Sequence, residues 1–224
     1  MDLFPDPETL AKEITAEIKH LPKQNTSAIR SIRQSYSEKV KLANPEYILL
    51  LARLLCFKHD LRWVAYEIIA DNRAAFRILC TVELEEFGHG INSWWTVDFF
   101  ARTLSGPAWQ YGQISDDIIH QWASSTDPWW RRAALVSTVA LNLRSKGERG
   151  DVSRTLAVSQ RLADDHEDMV VKALSWSLRE LVVHDPEAVD KFLYEFDHVL
   201  AARVKREVGN KLNTSYKTPY WAVI

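Results

Sequence analysis

The sequence predicts an all-α fold and, within that class, a solenoid of stacked helix pairs. Three observations carry the expectation. Helix-start signals recur along the chain, the segments between them place apolar residues at helical spacing, and no run of alternating apolar and polar residues reads as a strand.

The start signals share one logic. In Asp6-Pro7-Glu8, Asn44-Pro45-Glu46, Asp127-Pro128-Trp129 and Asp185-Pro186-Glu187 an Asp or Asn can cap the orphan N–H groups of a first turn. Proline then takes the first helical position, where its missing N–H is not needed, and glutamate where present suits the positive end of the dipole. Downstream of these signals the helical period is explicit. Trp129, Ala133, Val136, Ala140 and Leu143 form one apolar stripe, and Val170, Leu174, Ser177, Leu178 and Leu181 form another. Helices are expected near residues 7–20, 26–41, 45–58, 61–71, 73–79, 81–87, 93–104, 115–124, 128–145, 151–163, 166–183, 186–198 and 200–212. Breaks are expected at Gly88-His89-Gly90, Ser105-Gly106-Pro107 and Lys146 to Gly150. Helix pairs then recur at about 40 residues, the length of a HEAT unit, so that one helix of each pair lines a concave surface. Residues 1–224 are expected to form a single HEAT-like repeat domain.

Composition narrows the class. With 46% of 224 residues apolar, a continuous core can be built, and the scarcity of glycine disfavours many tight turns. Cys56 and Cys80 both fall in apolar stretches and read as small buried thiols of a reducing compartment. The first residues hold no basic segment followed by an apolar run, and no stretch is long enough to span a membrane, so a cytoplasmic address is expected. A formal net charge of −2 argues against non-specific coating of nucleic acid. The charges are uneven, however. Lys23, Arg30, Arg33, Lys39 and Lys41 oppose only Glu38, and Arg203, Lys205, Arg206, Lys211 and Lys217 oppose only Glu207. A chain neutral overall can still hold a basic groove.

Three places stand out as candidate chemistry. On helix 166–183, at about 100° per residue, Lys172, Trp176 and Arg179 share the side opposite the apolar stripe. Trp176 is either a partly exposed packing residue or an aromatic platform. On helix 93–104, Trp94, Asp98 and Arg102 form one ridge. Asp98 is either the intrahelical partner of Arg102 or a carboxylate beside an indole, a pair suited to developing positive charge. On helix 128–145, Arg131 points away from the stripe and Arg132 lies at its border, either ion-paired or a phosphate clamp. Trp94 and Arg132 are 38 residues apart, and Arg132 and Trp176 are 44, so all three places can face one surface of successive repeats. The histidines are scattered without metal-ligand spacing, and there is neither a Gly-rich phosphate loop nor a G-x-S-x-G elbow. The acids around His166 read as a solvated helix start.

At these residues the chain resembles the AlkD-type DNA alkylation repair glycosylases. Trp94 to Asp98 is similar to their Trp-x-x-x-Asp motif, Trp129 to Leu135 to their Trp-x-x-Arg-Ala-Ala-Ile segment, and Lys172 to Glu180, followed by Asp185-Pro186, to their Lys-Ala-Ile-x-Trp-x-Leu-Arg-Glu helix. The resemblance runs from about residue 26 to 210 and is strongest over 60–210. It implies a right-handed α-solenoid of HEAT-like helix-pair repeats with a concave DNA-binding face. It implies excision of cationic N3- and N7-alkylated purines, such as 3-methyladenine and 7-methylguanine, by a monofunctional enzyme of base excision repair without metal or cofactor. The partner implied is double-stranded DNA containing alkylated bases, with no membrane, and the form expected is a monomer. The catalytic carboxylate carries over to Asp98, the two indoles to Trp94 and Trp176, and the phosphate-contacting arginine to Arg132. Arg179 matches the third motif, and Lys172, Trp95 and Arg131 are expected to add DNA contacts. The chain departs from the pattern at Trp95, where the family often has Asp, and in its lower basicity. Two other readings stay open, a catalytically silent HEAT-repeat DNA-binding protein and a HEAT-repeat protein-binding scaffold.

Overall fold

A computed structural model describes residues 4–217. Of the aromatic C-terminal stretch from Tyr216 to Trp221, residues 218–221 lie outside the described residues. Among the described residues the structure is helical and contains no strand. No helix among them is long and apolar enough to cross a membrane.

The four Asp/Asn-Pro signals act as their chemistry requires. Asp6 accepts from the N–H groups of Glu8 and Thr9, Asn44 from Tyr47, Asp127 from Trp129 and Asp185 from Ala188, each with proline opening the helix. Further caps at Asn25, Asn72, Ser93 and Asp151 carry no proline to mark them.

The chain divides at Gly90 and Ile91 into two compact units. The first holds α1 (Pro7–Lys19), α2 (Thr26–Lys39), α3 (Pro45–Arg53), α4 (Arg62–Asp71), α5 (Arg73–Arg77) and α6 (Thr81–Gly88), with a π turn over Leu54–Lys58 prolonging α3. α3 packs on α1 and α4, and α2 on both of the same helices. Ile14, Ile48, Leu51, Leu55, Ile68 and Ile69 fill the space between them. Part of the basic excess near the N-terminus is met by distant acids. Arg30 and Arg33 both pair with Glu67, and Arg33 also reaches Asp71. Only one cysteine behaves as the sequence suggests. Cys56 is buried, which pushes its thiol up to about 11. Cys80 is exposed, because it is the residue before α6 rather than inside a helix, and its N–H and thiol both donate to Glu83.

The second unit holds α7 (Trp94–Phe100), α8 (Gly106–Gln110), α9 (Asp116–Ala123), α10 (Pro128–Leu141), α11 (Val152–Arg161), α12 (Asp168–Leu181), α13 (Pro186–Glu195) and α14 (Ala202–Thr214). α10 is its centre and packs on α7, α8, α9, α11 and α12. The single stripe expected on this helix is therefore too narrow, since every residue from Arg132 to Leu141 is buried. Small side chains make this feasible, and its hydroxyls are satisfied internally. Ser137 donates to the Ala133 carbonyl and meets Ser105, and Thr138 meets Ser177. α10 also ends earlier than expected. The Asn142 side chain donates to the Thr138 carbonyl and to Thr155 and accepts from the Asp151 N–H, which stops the helix at Leu141.

The break expected at Ser105-Gly106-Pro107 does not occur. The chain stays helical from Trp94 to Gln110 through a π turn over Ala101–Ser105. Proline removes a donor and crowds the preceding turn, and the wider π turn accommodates both. Gly106 is there for space, not for flexibility. A Cβ on it would stand 2.6 Å from the Ala140 Cβ and 2.8 Å from the Ser137 and Ala101 carbonyl oxygens. Gly106→Ala is expected to destabilise the fold by about 1–3 kcal/mol, the usual penalty of overpacking. Urea unfolding with an unchanged m-value and a lower midpoint would show it.

Candidate functional site

The site grows from the start of α10. Pro128 opens that helix and Arg132 follows one turn later, at the point where the helix enters the core, so the residue is only 5% exposed. A cation there needs a partner, and α7 supplies it. Val97 and Phe100 are fully buried against the core, which places Asp98 on the α10 side with 14% of its side chain exposed. Arg132 Nε donates to Asp98 Oδ1 and Nη2 to Oδ2, both at 2.9 Å, a side-on bidentate pair. The remaining Nη1 donates to the Met169 carbonyl of α12 at 2.5 Å. One guanidinium thus ties α7, α10 and α12 together.

Burial pushes the Asp98 carboxyl above its ordinary range, while the hydrogen bonds and charge of Arg132, and then the charge of Arg102, pull it back part of the way. Asp98 is not the intrahelical partner of Arg102. The π turn begins at Ala101, so Arg102 no longer continues the α-helical ridge, and Arg132 offers a planar fork that matches a carboxylate. Arg102 makes no ion pair among the described residues. Its guanidinium carbon lies 5.6 Å from the ring centroid of Trp176, a cation–π contact. The Trp176 indole donates to Glu180 at 2.9 Å.

The apolar stripe expected on α12 is buried as drawn, and its opposite side carries Lys172, Trp176 and Arg179. These three line one cavity of about 470 Å³, together with Arg203, Glu207 and Lys217. Lys172 pairs with Asp168 at 2.6 Å, and Arg179 donates to the Ser175 carbonyl and hydroxyl. Trp94 is 58% exposed in the first turn of α7, and neighbouring Trp95 packs edge-on against Phe99 at 5.1 Å. Arg131 is placed apart from this group, held by Asp165 at 2.6 Å and by the carbonyls of Ser125 and Thr126.

Sequence reasoning missed the Arg102 contact with Trp176, the Met169 carbonyl, and Arg203, Glu207 and Lys217. The signal for the last three was present, since Glu207 is the one acid in a basic stretch and such an acid tends to be an organising partner. Among the described residues no group of three His, Cys, Asp or Glu side chains could hold a metal ion.

A double-mutant cycle tests the buried pair. Arg132→Met or Asp98→Ala alone should lower stability by about 3–5 kcal/mol, because each leaves a charge without its partner. The double variant should cost clearly less than the sum, as read from chemical denaturation.

The sequence matches the model of a family described as DNA alkylation repair enzyme over residues 23–212, most of its length. No curated protein and no solved structure matches it.

Proposed function

The chain belongs to the DNA alkylation repair enzyme family, and on that premise we propose that it is a DNA glycosylase for cationic N3- and N7-alkylated purines. The observation that carries this reading is Asp98, a largely buried carboxylate oriented by Arg132 in a helix whose first turn exposes Trp94, with Trp176 joined to the same group through Arg102. Such a group suits a reaction that builds positive charge on a sugar.

Alkylation at N3 or N7 makes the purine a cation and weakens its bond to C1′. When that bond breaks, the base leaves with the bonding pair and becomes neutral, and positive charge passes to the deoxyribose. Asp98 stabilises that charge by Coulomb attraction in a site where little water screens it. A carboxylate has about four lone-pair sites, so two bonds from Arg132 leave each oxygen able to accept one more. Asp98 can therefore also take the proton of the water whose oxygen bonds to C1′, as a carboxylate does in glycoside hydrolysis. Trp94 and Trp176 present π faces to the sugar and its charge. Lys172 and Arg179 on α12 hold the DNA in this reading, with Trp95 on α7 at its edge. Arg132, its donors taken by Asp98 and Met169, orients the carboxylate rather than a phosphate, and Arg131 is held by Asp165. Selectivity needs no base-reading side chain, since the lesion brings its own charge and its own weakened bond. The HEAT-like solenoid with its concave face, base excision repair as the pathway and a monomeric form belong to the same reading.

One observation favours a second reading, a silent DNA-binding repeat protein. Both Asp98 oxygens already accept from Arg132. Duplex DNA carrying one 7-methylguanine separates the two. The glycosylase releases the base, and Asp98→Asn should slow single-turnover release by roughly 10²- to 10³-fold, the scale of losing one transition-state electrostatic contact. Circular dichroism of the variant confirms that it has folded. No release by the wild type, with salt-dependent binding intact, would establish the silent protein instead.

The pH profile is a separate check. Asp98 acts as the ionised form, and burial raises its pKa. The single-turnover rate should hold at neutral pH and fall as pH drops through a midpoint above the ordinary Asp value of about 3.9. A rate that stays flat to that ordinary value would remove Asp98 from the role of base.

A further inference from the structure

We propose that Arg102 is an internal ligand of the reaction site: in the free protein its guanidinium fills the place, on the face of Trp176 and near Asp98, that a positively charged nucleotide takes in the complex. Its guanidinium carbon lies 5.6 Å from the Trp176 ring centroid. Its charge reaches Asp98, where it helps to pull the carboxyl back from the rise caused by burial. The side chain is exposed and pairs with no acid among the described residues. The π turn over Ala101–Ser105 takes it off the ridge of Asp98 and frees it to reach α12. Such turns are frequent at functional positions.

The fold gives Arg102 little to do. Arg132 already joins α7, α10 and α12 through both Asp98 oxygens and the Met169 carbonyl. An exposed cation–π contact adds only a small amount to that. What Arg102 shares is the chemistry of the substrate. Its guanidinium is a planar, delocalised and weakly hydrated cation. A purine alkylated at N3 or N7, and a sugar with oxocarbenium character, are planar delocalised cations too. An indole face and a carboxylate attract all three for one reason, the ring by its quadrupole and the acid by Coulomb attraction. Two such cations on one indole and one carboxylate repel each other, so either Arg102 or the nucleotide holds the place. Arg102 leaves at little cost, since no ion pair breaks and its head group passes into water. A neutral sugar gains too little from the ring to displace it. The contact therefore keeps the indole covered until a cation arrives.

This rests on the reading above in taking DNA with a cationic nucleotide as the ligand, not in the excision itself. The test uses the full chain and two duplexes alike in every phosphate. One holds a pyrrolidine abasic analogue, protonated at neutral pH, and the other the neutral tetrahydrofuran analogue. Affinities are read by fluorescence anisotropy, and the quantity compared is the preference for the cationic duplex. Backbone contacts cancel in that ratio, and so does the loss of one general positive charge. Arg102→Gln should raise the preference roughly two- to five-fold, the scale of one exposed cation–π contact. A gain in binding cannot come from a chain that fails to fold. Arg102→Lys, which keeps a cation, should stay nearer to wild type. In Trp176→Leu the same Arg102→Gln change should have no effect, because the contested face is gone. A preference left unchanged by Arg102→Gln would overturn the proposal, and a lowered one would do so by making Arg102 a support for the cation and not its rival. An equal rise with Gln and Lys would trace the gain to side-chain shape, and a rise that survives Trp176→Leu would trace it to another surface. Either would overturn the proposal. Failure of the wild type to release 7-methylguanine, with the preference behaving as stated, would sink the glycosylase reading alone.

Discussion

The second unit is organised around a guanidinium that cannot be left unpaired. α10 is surrounded by other helices, and Arg132 stands where that helix leaves the surface. Taking its charge out of water costs several kcal/mol, which only a well-formed pair with the remaining donors also satisfied can offset. The bidentate contact to Asp98 and the bond to the Met169 carbonyl meet that demand, and they do so only if α7 and α12 lie where they do. The orientation of Asp98 follows from the same need. So does the freedom of Arg102, which loses its nearest acid to Arg132 and lies on the face of Trp176 instead.

Close helix packing sets the other half of the geometry. The segment from Trp94 to Gln110 runs through a π turn and presses Gly106 against Ser137 and Ala140 of α10. The hydroxyl contacts Ser105 to Ser137 and Thr138 to Ser177 continue that seam on both sides of α10, at distances of 2.8 and 2.5 Å. Small and hydroxyl-bearing residues let the backbones approach and leave no polar atom of these side chains unpaired. The catalytic candidates therefore stand on packed helices and not on loops, which favours a preorganised site.

Electrostatics act locally in this chain. The formal charge of the whole is nearly neutral, and part of each apparent basic cluster is answered by acids far away in sequence, as Arg30 and Arg33 are by Glu67 and Arg203 is by Asp168. Arg102 pairs with no acid among the described residues, and neither do Arg206 and Lys211 near the C-terminus. A low overall charge is thus compatible with an anion-binding surface, since a phosphate responds to charges within a Debye length of about 8–10 Å and not to the sum over the molecule.

The all-α class and most helix boundaries were legible in the sequence, because the Asp/Asn-Pro caps and the apolar stripe of α12 are local features whose physics spans one or two turns. Trp94, Asp98, Arg132 and Trp176 could also be singled out, since a charged or aromatic residue at a core border is unusual wherever it occurs. Tertiary structure decided which partner each would take. Asp98 had an arginine four residues on and took one 34 residues on, and a proline that ought to end a helix was absorbed by a π turn. The reason is the range of the forces involved. Capping and periodicity compare a residue with its immediate neighbours, whereas burial, ion pairing and close approach are settled between segments that meet only when the chain has folded.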